Sequence, residues 1–313
     1  MAQLLYFIFE TARPRQWVKN FSLFAALIFS GKLFFLDSFL RVVGAFFIFC
    51  LLTSSVYLFN DVVDAPLDRQ HPLKKQRPVA SGKLPMSLVL FIAIAGYFLS
   101  LWFAQSHSFF FFLACLSYLV LQLFYSLWLK HIPILDLLVL ATGFIIRVYS
   151  GALVINAHMN VWFLLAVVSL ALFLAVGKRQ SERTLLVGQG GGLFKQRATL
   201  VGYSPRLLDV YTSMFANATW ITYALFTFLH QQPVFTRPKV VGFLAELPHT
   251  LATQKWLMVS VPVVVYGVMR YLQLIYEKNE GESPDKVLLS DKPLLLAVVF
   301  WFVLVTTIVY GIG

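Results

Sequence analysis

Long apolar runs separated by short polar segments occupy most of this 313-residue chain. Several of them approach the roughly 20 residues that a helix needs to cross the hydrocarbon core of a bilayer. Ten-residue segments of alternating hydrophobicity, which are typical of membrane β-barrels, are absent from the sequence. The pattern therefore predicts an all-α, polytopic membrane protein. Its nine predicted transmembrane helices lie near residues 21–36, 39–60, 86–105, 108–129, 132–155, 161–177, 208–229, 256–276 and 293–312.

The composition supports a chain that is embedded in lipid throughout. Hydrophobic residues make up 59% of the sequence and charged residues only 12%, about half the charged share of a soluble protein. These values exclude a soluble nucleotide-binding fold, a disordered chain and a soluble domain with one anchor. The longest predicted loops are 178–207, whose glycine run 188–192 we interpret as a linker, and 230–255. We therefore expect residues 1–313 to form a single integral-membrane domain.

Two smaller features fit the same picture. Cys50 and Cys115 both lie inside apolar runs and do not have the spacing of metal ligands, so we interpret them as small core residues. Residues 1–10 are apolar, and we expect them to form an interfacial segment that leads into the first span.

The distribution of basic residues predicts the orientation in the membrane. The chain has 25 Lys and Arg residues against 14 Asp and Glu residues, a net charge of +11. If the N-terminus is cytoplasmic, nineteen basic residues lie on the cytoplasmic side and five on the opposite side. The positive-inside rule then places the N-terminus in the cytoplasm and the C-terminus outside. This bias explains most of the net charge without a nucleic-acid partner.

An acidic motif follows the second predicted span and is the most informative stretch of the chain. If the helix continues, Asp64, Asp68 and Asp61 lie at roughly 40°, 80° and 100° from Asn60, so all four side chains share one face. Three carboxylates this close repel one another unless a cation lies among them, and hard oxygen ligands suit Mg²⁺ shared with substrate phosphates. Asn60 and Asp64, one helical turn apart, are the closest pair of potential metal ligands. The alternative is a solvated helix end. Pro66 is expected to disturb the helix and to place Asp68 on a separate turn.

A basic loop, residues 69–83, comes directly after the acidic motif. A basic segment beside an acidic cluster is typical of a site where a polyanion bridges the two, with the metal on one phosphate and Lys or Arg on others. Lys74, Lys75 and Arg77, which follow the carboxylates closely in sequence, are the strongest candidates. The alternative is positive-inside bias alone.

A second polar group lies at the junction of the fourth and fifth predicted spans. Tyr125 and Lys130 end the fourth span, and the fifth carries Asp136 and Arg147 on one face together with small residues. Arg147 is about 16 Å along the helix from Asp136, which places it well inside the bilayer. An unpaired arginine there costs several kcal/mol, so it requires an acid such as Asp136 or a bound anion.

Two further basic segments flank the same side of the bundle. One is residues 13–20, which include Lys19, and the other is residues 177–183, which include Lys178 and Arg179. Each segment alone is typical of side chains that reach from a helix end to the membrane surface. Together they are predicted to surround one mouth that faces the cytoplasm.

These motifs carry a family resemblance. Asn60-Asp61-x-x-Asp64-x-x-x-Asp68 at the end of a second span resembles the first aspartate-rich motif of the UbiA superfamily of intramembrane prenyltransferases. The segments RPRQWVKN at 13–20, DRQHPLKKQRPVASGKL at 68–84, YSLWLKHIPILD at 125–136, GFIIRVYSGA at 143–152 and GKRQSER at 177–183 resemble its decaprenyl-phosphate phosphoribosyltransferase branch. Together the matching segments extend over most of residues 13–183. Two departures are Pro66-Leu67 and a second aspartate-rich motif that is reduced to Asp136.

The resemblance implies a UbiA-type bundle with a central cavity facing the cytoplasm, in the bacterial cytoplasmic membrane. It implies Mg²⁺-dependent transfer of a 5-phosphoribosyl group from phosphoribosyl pyrophosphate to a polyprenyl phosphate lipid of the decaprenyl type, with release of pyrophosphate. Asp61, Asp64 and Asp68 are then the expected catalytic residues and, with Asn60, the expected metal ligands. The expected substrate-binding residues are Lys19, Tyr57, Lys74, Lys75, Arg77, Tyr125, Lys130, Asp136, Arg147, Lys178 and Arg179.

Two other functions remain open from the sequence. An aromatic prenyltransferase must stabilise an allylic carbocation and often activates a phenol, tasks that suit a second set of carboxylates. The corresponding region here is cationic, which favours an acceptor that is itself a phosphate. A transporter or channel is the remaining class, but the charged residues gather at one side rather than along a path through the bilayer.

Overall fold

The structure is a computed structural model that describes residues 2–70, 74–188, 202–230, 255–277 and 284–312. Within these ranges the chain is helical and has no β-strand, which confirms the predicted all-α fold class. The α-helices are α1 (Ala2–Ala12), α2 (Phe24–Phe29), α3 (Leu36–Asp68), α4 (Met86–His107), α5 (Phe109–Leu127), α6 (Leu135–Val154), α7 (Val161–Gly188), α8 (Pro205–Leu229), α9 (Val261–Tyr276), α10 (Pro284–Ser290) and α11 (Lys292–Thr307). Short 3₁₀ helices lie at Pro14–Leu23, Lys74–Gln76, Leu129–His131 and Trp256–Ser260, and a π-helical turn, Ile308–Ile312, follows α11.

Seven helical segments in the described ranges are long and apolar enough to cross a membrane, rather than the nine predicted. The first predicted span, 21–36, is instead the end of a 3₁₀ helix followed by the six-residue α2. Asn20, just before that segment, explains the difference, because it is buried and hydrogen-bonded inside the bundle. The predicted span 208–229 is α8, a 25-residue helix that includes Asp209, Asn217 and several threonines.

Two helices extend further than predicted. Helix α3 continues through Pro66 to Asp68, so the expectation of a separate turn for Asp68 was wrong. Pro66 has no N–H and so removes one backbone hydrogen bond, but the bond from the Arg69 N–H to the Ala65 carbonyl oxygen continues the helical pattern past it. Helix α7 continues past residue 177 to Gly188, and an Arg179–Glu182 pair spans one of the added turns. Residues 189–201 and 231–254, which include most of the predicted linker and of the second long loop, lie outside the described residues.

A close approach between α6 and the 3₁₀ helix Pro14–Leu23 positions part of the site. A Cβ atom added to Gly151 would lie 1.9 Å from the backbone oxygen of Leu23, so only glycine permits the two backbones to pack this tightly. Arg147 lies one turn before Gly151 on α6 and is thereby brought beside Asn20. Cys50 and Cys115 are both buried in the apolar core, as predicted.

The outer surface of the bundle is strongly apolar. Phe98 and Trp102 on α4 are each 73% exposed, and α11 exposes a row of large apolar side chains. A soluble protein rarely leaves so much contiguous apolar surface in water, whereas a lipid-facing surface requires it. Helix α1, the predicted interfacial segment, packs Phe7 and Ile8 against the core and exposes Leu5, Tyr6 and Phe9.

Candidate active site

The C-terminal turns of α3 carry the acidic motif. Asp61 and Asp68 are almost completely buried, whereas the side chain of Asp64 is 33% exposed. Because α3 is continuous to Asp68, the four side chains share one helix face as predicted. The neighbouring elements divide this face into two halves, each with its own basic partners.

One half consists of Asp61 and Asp68. Arg77 Nη1 lies 2.7 Å from Asp68 Oδ2 and 3.4 Å from Asp61 Oδ1, so a single guanidinium bridges the two carboxylates. Arg13 donates a second hydrogen bond to Asp61, and its guanidinium carbon lies 5.2 Å from the centre of the Tyr57 ring. The basic loop therefore lies against the acidic motif, and Arg77 contacts two of its carboxylates directly.

The other half consists of Asn60 and Asp64. Lys130 Nζ lies 2.5 Å from Asp64 Oδ1, and the Ser126 hydroxyl donates to the side-chain oxygen of Asn60. Both partners come from the α5–α6 junction. The second polar group of the sequence, at the junction of the fourth and fifth predicted spans, therefore lies directly against Asn60 and Asp64, although it is 66 residues away along the chain.

The donor chemistry of the Asn60–Asp64 half suits a magnesium ion. Within the described ranges, no three His, Cys, Asp or Glu side chains are grouped so that they could hold a metal ion by themselves. Magnesium, however, is usually held by one or two carboxylates, with substrate phosphates and water completing the coordination. Asn60 and Asp64 are one turn apart and Asp64 is accessible, so they offer the hard oxygen donors that such shared binding needs.

A cavity of about 710 Å³ opens beside the Asp61–Asp68 half. Its walls come from the end of α1, the start of the first 3₁₀ helix, α3 and the basic loop. The lining residues are Glu10, Thr11, Arg13, Asp61, Lys75, Gln76, Arg77, Pro78, Ser81 and Lys83. Lys75 and Arg77, two of the predicted substrate-binding residues, thus line one open space with Asp61.

Gln16 connects two other predicted residues. Its side-chain oxygen accepts hydrogen bonds from Lys19 Nζ at 2.6 Å and from the Tyr57 hydroxyl at 3.0 Å. Gln16 thereby holds Lys19 of the first 3₁₀ helix close to Tyr57 of α3. Lys74 begins the short helix Lys74–Gln76 and is partly buried.

Arg147 lies deep in the bundle and is 7% exposed. Its Nε donates to Asn20 Oδ1 at 3.1 Å and its Nη2 to the Tyr118 hydroxyl at 2.6 Å, and Nη1 lies 3.4 Å from the backbone oxygen of Gly143. All three acceptors are neutral. The alternative in which Asp136 neutralises Arg147 was wrong, because Asp136 pairs with a different arginine.

That arginine is Arg179. Its Nε lies 2.7 Å from Asp136 Oδ2, and its other nitrogens contact Glu182 at 2.6 Å and the Tyr125 hydroxyl at 3.4 Å. Asp136 has no exposed surface and Arg179 is buried, so this geometry favours a structural role for the pair over the predicted contact with substrate. Lys178, the adjacent predicted residue on α7, is partly exposed.

Tyr203 completes this buried network and had no signal in the sequence. Its hydroxyl donates to Asp136 Oδ1 at 2.6 Å and accepts from the backbone N–H of Ile134, also at 2.6 Å. Ile134 has a φ of 71°, a strained conformation for a β-branched residue, and it ends the short loop that carries Lys130. Burial and the bond to Asp136 raise the pKa of Tyr203, which keeps the phenol protonated and donating.

A Tyr203→Phe variant is expected to lower the free energy of unfolding by about 1–3 kcal/mol, because a buried carboxylate oxygen and a backbone N–H lose their shared partner. Thermal unfolding of the purified protein in detergent measures the change. Tyr276→Phe is the matched control: its hydroxyl also bonds an aspartate, Asp209, but Tyr276 is 45% exposed and water can replace the bond. Equal shifts in the two variants would contradict a special role for Tyr203.

Other site residues were missed for identifiable reasons. Arg13, Gln16 and Asn20 lie within the basic 13–20 segment, so the segment was a usable signal even though only Lys19 was singled out there. Ser126 and Tyr118 lie on the inward face of α5, but nothing local distinguishes them from other polar residues in an apolar helix.

The fold and the site together define an intramembrane enzyme, a bundle of apolar helices with an acidic and basic reaction site at one end. The sequence model of the UbiA prenyltransferase family matches residues 21–180, and the chain belongs to this family. The family that the motifs predicted is therefore confirmed, and the protein is a multi-pass membrane transferase.

Similar proteins extend the match beyond the family segment. A decaprenyl-phosphate phosphoribosyltransferase of Corynebacterium glutamicum is 32% identical over 305 residues, covering 96% of this chain and 86% of the relative. A protein of the same description from Mycolicibacterium smegmatis is 30% identical, covering 97% and 92%. Among solved structures, a UbiA homologue from Archaeoglobus fulgidus bound to GPP and Mg²⁺ superposes with a TM-score of 0.67 at 18% identity, covering 97% of this chain and 99% of that one. This last likeness establishes the fold.

Proposed function

We propose that the protein transfers a 5-phosphoribosyl group from phosphoribosyl pyrophosphate to a polyprenyl phosphate of the decaprenyl type and releases pyrophosphate. The observation that carries this proposal is the charge of the second polar group, which consists of Tyr125, Lys130, Asp136 and Arg147. Asp136, its only carboxylate, is buried and neutralised by Arg179. The remaining charged side chains of this group are the cations Lys130, which contacts Asp64, and Arg147, whose hydrogen-bond acceptors are neutral. Cations suit an acceptor that is itself an anionic phosphate.

The donor is proposed to bind along the acidic face of α3. Magnesium, when held there by Asn60 and Asp64, would supply charge neutralisation for the departing pyrophosphate, whereas Asp61 and Asp68, the other two expected ligands, are buried and paired with Arg13 and Arg77. Lys19 and Tyr57, joined through Gln16, and the basic loop with Lys74, Lys75 and Arg77 orient the phosphates and the ribose. The bond from C1 of the ribose to the pyrophosphate oxygen breaks and leaves its electron pair on the pyrophosphate. The sugar acquires oxocarbenium character as this happens.

The acceptor is proposed to approach from the α5–α6 side. A phosphate oxygen of the lipid forms the new bond to C1. Lys130, beside Asp64, is proposed to hold this phosphate within reach of the ribose, and Arg147, deeper along α6, is proposed to attract the same anionic headgroup. Because the acceptor is already anionic, it needs no strong general base, and the rate gain comes mainly from positioning and charge stabilisation. The prenyl chain passes between helices into the lipid. We place the enzyme in the bacterial cytoplasmic membrane, with the N-terminus and the active site on the cytoplasmic side.

A paired-substrate assay tests this function directly. The purified protein in nanodiscs is incubated with Mg²⁺ and either labelled phosphoribosyl pyrophosphate plus decaprenyl phosphate, or prenyl pyrophosphate plus a phenolic acid. We expect a labelled lipid only from the first pair, and its formation to stop when EDTA removes the metal. A prenylated phenol from the second pair would overturn the proposal in favour of an aromatic prenyltransferase, and solute flux without a lipid product would indicate a transporter.

A further inference from the structure

The large cavity lies on the Asp61–Asp68 half of the acidic face and not on the Asn60–Asp64 half. Of the acidic motif, only Asp61 lines it, and Asp61 is already held by Arg13 and Arg77. The Asn60–Asp64 half faces Ser126 and Lys130, which do not line the cavity. Helix α3 therefore presents two different environments. The Asn60–Asp64 half has an accessible oxygen ligand, and the Asp61–Asp68 half borders a space lined by cations.

The cavity has an excess of positive charge. Four basic side chains, Arg13, Lys75, Arg77 and Lys83, line it against the two carboxylates of Asp61 and Glu10. These basic residues come from two separate segments, the start of the first 3₁₀ helix and the loop after α3. Lys83 Nζ lies 5.2 Å from the centre of the Phe7 ring, so its ammonium group is held over α1 at the edge of the space. Arg77 also contacts Asp68, which does not line the cavity, so the net excess is smaller than this count, but it is positive and favours an anion.

We infer that this cavity binds the 5-phosphate monoester of the donor, while the pyrophosphate end lies at the Asn60–Asp64 half. The inference rests on the proposed function and assigns the two anionic ends of that donor to the two halves of one helix face. A phosphate monoester is bound without metal by convergent Lys and Arg side chains, and four such side chains line this cavity. The ribose then spans the helix face, with C1 toward Lys130.

The opposite assignment fits the side chains less well. Pyrophosphate that leaves with Mg²⁺ needs accessible oxygen ligands for the metal, and Asp61 is 3% exposed and bonded to two arginines. Asp64 is the accessible carboxylate of the motif, and it lies on the other half. The cavity also determines donor choice, because a prenyl pyrophosphate has no second anionic group and would place its apolar chain against four cations.

The test uses two fragments that report on the two halves, ribose 5-phosphate and pyrophosphate. The Lys75→Gln/Lys83→Gln double variant removes two cations from the cavity without touching the carboxylates of α3. In phosphoribosyl transfer by the full-length protein, we expect the KM for the donor and the inhibition constant of ribose 5-phosphate to rise by about tenfold or more. Inhibition by pyrophosphate and the KM for the lipid phosphate should change by less than about twofold.

Arg41→Gln is the control for loss of positive charge, because the Arg41 side chain pairs with Asp37 at the far end of α3. It should leave all four constants unchanged. Calorimetric titration of ribose 5-phosphate into the wild-type and double-variant proteins gives a second readout that needs no turnover. Loss of pyrophosphate inhibition alone, or equal loss for both fragments, would overturn the assignment of the two ends. Absence of ribose transfer by the wild-type protein would instead overturn the proposed function, so the two failures are distinguishable.

Discussion

An Asp64→Asn variant is expected to lose at least about 10²-fold in the rate of phosphoribosyl transfer while remaining folded. The substitution keeps the size of the side chain but removes the negative charge, and Asp64 is the accessible carboxylate of the acidic motif. A neutral amide binds Mg²⁺ more weakly than a carboxylate does. The variant also releases Lys130 from its ion pair, so the cation proposed to hold the lipid phosphate is no longer anchored against the donor.

The rate is measured with saturating substrates and several Mg²⁺ concentrations, and thermal unfolding is measured on the same preparation. Because Asp64 and Lys130 are both partly exposed, loss of their pair should change stability by no more than about 1 kcal/mol. Asp37→Asn is the matched control: it lies on the same helix, is exposed, and pairs with Arg41 at the opposite end. If Asp64→Asn keeps most of the activity, Asp64 is not an essential ligand.

The features that depend on helical periodicity could be predicted from the sequence. The shared face of Asn60, Asp61, Asp64 and Asp68 follows from their spacing once the helix is continuous, and most spans follow from their length. The prediction of a first span at 21–36 was wrong. A run of apolar residues does not reveal that Asn20, just before it, lies buried in a 3₁₀ helix and is bonded to side chains of α3 and α6.

Pairings between distant segments could not be predicted in the same way. Asp136 and Arg147 share a face of α6, but they are about 16 Å apart along its axis and so cannot meet directly. Asp136 instead pairs with Arg179 from α7 and with Tyr203 from the segment before α8. Spacing within one helix contains no information about which neighbouring helix packs on it, and that packing decides which charges are neutralised.

Of the two charged residues of α6, Arg147 is the one that this packing leaves with neutral hydrogen-bond partners, and its removal should affect the acceptor selectively. An Arg147→Met variant keeps most of the side-chain volume but removes the cation. We expect the KM for polyprenyl phosphate to rise by about 10- to 100-fold, since a charged hydrogen bond to phosphate in a site shielded from water is worth a few kcal/mol. The KM for phosphoribosyl pyrophosphate should change by less than about threefold, because none of Arg147's hydrogen bonds involves the acidic motif.

Arg147→Lys separates charge from shape in this prediction. Lysine keeps the positive charge but loses the planar fork that reaches Asn20 and Tyr118 together, so an intermediate KM for the lipid phosphate is expected. If Arg147→Met weakens only donor binding, the two pockets have been assigned the wrong way round. If it lowers the unfolding temperature while both KM values stay at the wild-type level, Arg147 is a structural cation that joins α6 to α5 and to the first 3₁₀ helix, and the lipid phosphate binds elsewhere.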